Sequence, residues 1–151
     1  NPGLEEALVE RLEAYDMINE GRVLVQSFDQ QSLLKLQALN PNLPLIQLLW
    51  YSPSEQNSEQ LVEWQNTTPG PSEINDADFQ AIAEYAAGIG TNATYQGNEV
   101  IDAAFIRQAQ ANGLPVHVYT INEPDEMQRL MALGANGLFT DYPDRLLELV
   151  E

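Results

Sequence analysis

GLPVHVYTINEPDEMQRLMALGANGLFTDYPDRL, residues 113–146, holds two short apolar runs that each end in polar residues and lead into a helical segment. VHVYTI (116–121) is rich in β-branched and aromatic residues and alternates with the period of a strand. Glu123, Pro124 and Asp125 then open a helix over 124–133, since proline suits a first turn and acids suit a helix N-terminus; Gly134 stops it. GLFTD (137–141) is the next strand and PDRLLELV (143–150) the closing helix. Strands separated by helices rather than by hairpin turns specify parallel βα units.

The same punctuation extends back along the chain. PGLEEALVERLEAYDMINEG (2–21) predicts a helix, with Pro2 in its first turn, Leu4, Leu8, Leu12 and Tyr15 on one face and Gly21 at its end. VLVQSF (23–28) reads as a strand, and Asp29 caps a helix over 30–40. PLIQLLW (44–50) is a second strand. Residues 51–75, YSPSEQNSEQLVEWQNTTPGPSEIN, form a polar loop insertion with a short helix around Leu61–Trp64. Asp76 caps DFQAIAEYAA (78–87), AGIGT (87–91) is a third strand, and Asn98 caps a helix over 99–112. Strands starting near 23, 44, 88, 115 and 137 thus alternate with helices, with no hairpin between neighbours.

Such a sheet is either open and doubly wound or part of a barrel. GIGTNATYQG (88–97) does not match the glycine-rich phosphate fingerprint of the open fold. QSFD, YTIN and FTD instead end strands in polar groups, as a barrel's active-site rim requires. The expected fold is α/β, a partial TIM (β/α)8 barrel. Five strands cannot close it, and about 250 residues are typical, so 1–151 reads as the C-terminal part of a single domain. The start at Asn-Pro-Gly, without Met or a signal segment, leads to the same expectation.

Composition narrows the partners. A net charge of −17, from 23 acids and 6 basic residues, disfavours nucleic acid and anionic lipid. No apolar run reaches membrane-spanning length. The absence of cysteine excludes disulfide and thiolate chemistry. An acidic, cysteine-free protein suits a secreted or periplasmic setting better than a cytoplasmic one.

VLVQSFDQQSLLKLQALNPNLPLIQLL (23–49) and the 113–146 stretch together resemble the glycerophosphodiester phosphodiesterase family. The matching features are Ser27-Phe28-Asp29, LIQLL, AGIG before an Asn- and Gly-containing loop, Tyr119-Thr120-Ile121-Asn122, and Gly134, Gly137 and Thr140-Asp141-Tyr142-Pro143-Asp144, in that order. The resemblance implies a barrel of the phospholipase C-like type, with this chain supplying strands four to eight. It implies hydrolysis of glycerophosphodiesters to glycerol 3-phosphate and an alcohol with a divalent cation, Ca2+ or Mg2+. The family's His-Arg-Gly turn, second histidine, Glu-x-Asp metal pair and Glu-x-Lys all precede the part present here. The chain alone is therefore expected to lack catalytic and metal-binding residues and to be inactive. Glu123-Pro124-Asp125 has the spacing of the metal pair, but capping is the preferred reading.

Three residues are the substrate-binding candidates. The resemblance sets Tyr119 where the family usually has Trp at the pocket mouth; its ring can pack on substrate, or simply fill the barrel. Phe28 shares a face with Gln26 and forms a pocket wall or ordinary core. Asn122 orients substrate or caps the next helix. Alternation groups His117, Tyr119 and Ile121 on one face and Val116, Val118 and Thr120 on the other. His117, the only histidine, then lies one layer below the site as an interior residue rather than a proton shuttle. Asp141 stabilises the last turn, and Ser27 lacks a base to make it a nucleophile. Trp50 and Trp64 either contact the alcohol headgroup or anchor the insertion. Asn66-Thr67-Thr68 and Asn92-Ala93-Thr94 match the glycosylation pattern.

The competing readings are a non-catalytic binding module derived from this barrel and an unrelated barrel hydrolase. Upstream His-Arg-Gly and Glu-x-Asp would favour the enzyme. Two open sheet edges also predict self-association, or completion by the missing N-terminal part.

Overall fold

The computed structural model describes residues 3–150 and begins with helix α1 (Leu4–Ala14), which buries Val9 and Leu12. The expected role of Pro2 lies outside the described residues. The helix stops well before Gly21, and the chain turns at Asp16, whose φ is 55°. Strand β1 (Val25–Ser27) follows, and the Asp29 carboxylate starts α2 (Gln30–Leu39) by accepting the N–H groups of Gln31 at 2.9 Å and Ser32 at 3.4 Å. Strand β2 (Leu45–Leu49) is buried along its whole length.

The 51–75 insertion is built differently from the expectation. It carries a hairpin of β3 (Tyr51–Pro53) and β4 (Leu61–Glu63), paired Tyr51 to Glu63 and Pro53 to Leu61. Leu61 and Val62 pair across the hairpin, so no helix forms around Leu61–Trp64. Helix α3 (Asp76–Ala83) is capped by Asn75 rather than Asp76. The Asn75 side chain accepts from Ala77 N–H, and Asp78 reaches back to Asn75 N–H, a reciprocal capping box.

Strand β5 (Gly88–Asn92) leads into a second small hairpin, β6 (Thr94–Tyr95) and β7 (Asn98–Glu99), turned by Gln96 and Gly97 with φ of 50° and 83°. Asn98 is therefore a strand residue. Asp102 caps α4 (Ala103–Ala111) through Phe105 N–H at 2.8 Å. Strand β8 (Val116–Tyr119), helix α5 (Pro124–Leu133), strand β9 (Gly137–Leu138) and helix α6 (Pro143–Val150) complete the order. Pro124 sits in the first turn of α5 and Gly134 ends it at φ 100°, as expected.

The main sheet is wholly parallel, in the order β1-β2-β5-β8-β9. Its order follows the chain without reversal. One face carries Leu45, Leu49, Ile89, Val116 and Val118 into a core shared with Leu33, Phe79, Ile82, Phe105, Ile106, Met127 and Leu130 of the helices. The other face carries Gln26, Leu48, His117 and Tyr119. Strict alternation in 116–121 ends at Tyr119. Ile121 joins the core with Val116 and Val118, while Thr120 is exposed beside Tyr119, which corrects the face assignment of both. The Tyr119–Thr120 peptide is cis, and Ile121 N–H donates to Phe139 O at 2.8 Å.

Candidate functional site

Gly90 creates the space in which the site is built. A Cβ there would come within 2.6 Å of Leu48 Cδ2 and 3.7 Å of Tyr119 Cε1. Without it, Tyr119 leans across β5 and donates its hydroxyl to Leu49 O on β2, at 2.6 Å. Burial pushes the Tyr119 phenol above its ordinary pKa, and the charge of Glu63 and the neighbouring Tyr51 push it further the same way. The ring is fixed by its own hydrogen bond, so it offers an apolar wall and a spent hydroxyl.

Other aromatic rings gather on it from the C-terminal ends of β1 and β2 and from the hairpin. Trp50 stacks on Tyr119 with centroids 6.3 Å apart and planes 14° apart. Phe28 stands edge-on to Tyr119 at 6.1 Å and 87°, and edge-on to Trp64 at 5.7 Å and 77°. Phe28, Trp50 and Trp64, with Ser52, line an open groove of about 290 Å³. A second hollow of about 220 Å³ lies behind it, lined by Gln26, Phe28, Leu48, Tyr119, Thr120 and Phe139. Phe28 and Tyr119 are thus brought together, and both tryptophans join them.

Glu63 positions the hairpin wall. It is 2% exposed, and its carboxylate accepts the N–H groups of Trp50 at 3.3 Å, Gln65 at 3.0 Å and Thr67 at 2.8 Å. Asn92, equally buried, grips the other side: it accepts Tyr51 N–H at 2.9 Å and donates to Tyr51 O at 2.9 Å and Thr94 O at 3.2 Å. Beneath β1, Gln47 donates to Phe28 O at 3.1 Å, and Tyr85 donates to Gln47 Oε1 at 2.9 Å. Burial pushes the Tyr85 phenol up to about 12. Sequence reading missed Glu63, Asn92 and Gln47 as positioning groups. Their signal was a polar residue in an otherwise apolar strand, visible only for Gln47 in LIQLL.

Asn122 lies apart from the aromatic groove. Its Oδ1 accepts Asp141 N–H at 3.0 Å and its Nδ2 donates to Asp141 Oδ2 at 2.9 Å, while its carbonyl accepts from Arg145 at 2.8 Å. It joins the loops after β8 and β9, and the N-cap of α5 is Glu123, so Asn122 does not cap that helix. Glu123 itself makes no side-chain cap bond and approaches Arg145 at 3.9 Å. Asp141 braces the final turn, as read from its position. Ser27 Oγ accepts Asp29 N–H at 3.0 Å. Of the two glycosylation-pattern asparagines, Asn66 is exposed and Asn92 is committed to its three buried bonds.

His117 is half-buried over Gly137, where a Cβ would meet its Cδ2 at 2.9 Å, and its ring is 6.1 Å from Phe139. Burial lowers its pKa below the ordinary 6.5. The folded chain then holds fewer protons at this site than the unfolded chain just below pH 6.5, so His117 withdraws stability as pH falls through that value. As the only imidazole, it gives one set of ring signals in an NMR titration, with an expected midpoint below 6.5. A midpoint above 6.5 would contradict this placement.

No three His, Cys, Asp or Glu side chains among the described residues are grouped to hold a metal ion. At the groove, Glu63 is saturated by backbone N–H groups. The residues present do not fit the divalent cation implied above.

Residues 3–145 match the Glycerophosphoryl diester phosphodiesterase family. A glycerophosphodiester phosphodiesterase of Bacillus subtilis is 32% identical over 147 residues, covering 95% of this chain and 43% of the relative. A Silicibacter pomeroyi structure named for the glycerophosphoryl diester phosphodiesterases shares the fold at TM-score 0.73 and 23% identity, over 97% of this chain and 43% of that one. An Oleispira antarctica phosphodiesterase, solved with the product sn-glycerol-3-phosphate, gives TM-score 0.59 at 20% identity, over 84% and 41%. The chain spans about half the length of the curated relatives it matches. With the parallel sheet, the ordered strand-end motifs and a match across 3–145 all agreeing, this chain belongs to the glycerophosphoryl diester phosphodiesterase family.

Proposed function

We propose that residues 1–151 are strands four to eight, with their helices, of a (β/α)8 barrel that hydrolyses glycerophosphodiesters to glycerol 3-phosphate and an alcohol. The observation that carries this reading is the aromatic groove at the C-terminal ends of a parallel sheet whose order follows the chain. A doubly wound sheet reverses its order at a switch point, whereas a barrel does not, and barrel sites lie at that end of the strands. Phe28 and Tyr119 supply the wall against which substrate packs, and Asn122 holds the adjoining loops in register. The divalent cation, Ca2+ or Mg2+, and the acid and base groups belong to residues outside this chain, so no chemical step is assigned to the side chains present. The acidity and lack of cysteine support a secreted or periplasmic setting. No helix among the described residues is long and apolar enough to cross a membrane.

The test is release of glycerol 3-phosphate from glycerophosphocholine with Ca2+ or Mg2+. A longer protein that includes the His-Arg-Gly and Glu-x-Asp motifs is expected to turn over, and the 151-residue chain to stay at background. Turnover by the chain comparable to the longer protein would show that the active site is misplaced. Sedimentation provides a second check, because β1 and β9 leave two unpaired edges and Leu24, Phe139, Leu147 and Val150 are exposed. The chain should sediment above its 16.8 kDa monomer mass. A monodisperse, cooperatively unfolding monomer would refute the exposed-edge part of the reading.

A further inference from the structure

We propose that a groove between the two hairpins docks an extended basic segment of a partner protein, with apolar side chains on its floor and lysine or arginine at its rim. This groove is separate from the aromatic one, and its occupant does not depend on what the longer protein hydrolyses. Successive strand residues face opposite ways. Ser52 lines the aromatic groove, while Pro53 and Leu61, paired across the first hairpin, face the second groove. Two hollows of about 360 and 310 Å³ meet there and share Glu59, Leu61 and Glu99. Both walls are anchored. A Cβ at Gly70 would collide with Leu61 O, so the 69–72 loop lies flush on β4, and Gln60 donates to Glu73 at 3.2 Å beyond it. On the other side, Arg129 of α5 holds Glu99 of β7.

Charge selects the occupant. Val100, Ile101 and Phe105 form a buried apolar floor, flanked by half-buried Leu61 and Pro71. Glu59, Glu99 and Asp102 stand exposed at the rim, and none of the chain's six basic residues lines either hollow. Arg129 offsets part of the Glu99 charge, and Asp102 also accepts Phe105 N–H. Glu59 makes no ion pair among the described residues. These acids do not group to hold a metal ion. A small amine would fill one hollow and meet one end of the rim. A chain alternating apolar and basic residues spans both, its long cationic side chains reaching the rim while the apolar ones meet the floor.

Tyr95 lines one hollow and stands edge-on to Trp50 at 6.3 Å and 75°, so tryptophan emission reports occupancy. The chain would be titrated at constant ionic strength with acetyl-Lys-Leu-Lys-Leu-Lys-amide. A saturable change is expected, with half-saturation about tenfold higher when glycine replaces leucine in the peptide. The charge-reversed peptide acetyl-Glu-Leu-Glu-Leu-Glu-amide should give none. Glu59→Lys should weaken the lysine peptide about tenfold. Glu59 is bonded through its backbone N–H, to Asn57 Oδ1 at 3.1 Å, so this change spares the hairpin. Glu10→Lys, on the exposed side of α1, makes the same change in net charge away from the groove and should leave binding unaltered. No saturable change with the lysine peptide, or equal half-saturation for its glycine form, would overturn the proposal. So would unaltered binding in Glu59→Lys, or equal weakening in Glu10→Lys. Spermine binding as tightly as the lysine peptide would overturn it too, showing a polyamine site instead.

Discussion

Glu63→Ala is expected to destabilise the chain by about 3–5 kcal/mol and to collapse the aromatic groove. The carboxylate is buried and accepts three backbone N–H groups, those of Trp50, Gln65 and Thr67. Alanine leaves all three without an acceptor, each at a cost of about 1–3 kcal/mol, less whatever water can reach after the hairpin loosens. Because these donors flank Trp64, tryptophan emission should shift to the red as the walls separate. Glu63→Gln keeps one acceptor oxygen but turns an amide donor toward the remaining N–H groups, so its loss should fall between wild type and alanine. Denaturant unfolding followed by tryptophan emission measures both effects. A change within about 0.5 kcal/mol, the range of ordinary surface substitutions, would show that the three bonds contribute little.

Asn92→Ala should cost about 2–4 kcal/mol, because the amide is the link between the sheet and the start of the insertion. Its oxygen accepts Tyr51 N–H while its nitrogen donates to the carbonyls of Tyr51 and Thr94. Asn92→Asp separates these roles. The carboxylate can still accept from Tyr51 N–H, but it faces two carbonyl oxygens with no proton to give. At neutral pH the aspartate variant should be no better than alanine, and it should regain stability as acid protonates it and restores one donor. Unfolding midpoints at two pH values test this. Full stability of Asn92→Asp at pH 7 would sink the assignment of donor and acceptor.

The elements that sequence made legible are those governed by local chemistry. Asp29, Pro124 and Gly134 each act within a few residues of themselves, and each does in the fold what its position implies. The five main strands were legible because each forms a short apolar run between turn residues. The two hairpins were not: strands of two or three residues have no period to detect, and Leu61–Glu63 is specified by its partner across the turn. Asn98 and Asp102 are both plausible caps by residue type. The path of the second hairpin decides for Asp102.

The site divides in the same way. Phe28 and Tyr119 were recognisable as strand-end aromatics, and Trp50 and Trp64 as the flanks of the insertion. That the four rings meet depends on Gly90 leaving room above β5, a tertiary fact. Asn122 shows the limit of reading a polar strand end alone. Its partners Asp141 and Arg145 are 19 and 23 residues away, and they tie it between two loops rather than to a helix start.

The two anchors of the insertion grip peptide groups. Glu63 binds three backbone N–H groups, and Asn92 binds one N–H and two carbonyls, none of which depends on the side chain carried there. Residues 54–59, at the tip of the hairpin, form no hydrogen bond with either anchor. This makes the tip an interchangeable cassette: its sequence can drift or be replaced wholesale while the sheet keeps its register. Because the aromatic groove is lined by Phe28, Trp50, Ser52 and Trp64 and not by the tip, such change leaves both that groove and the fold that carries it in place.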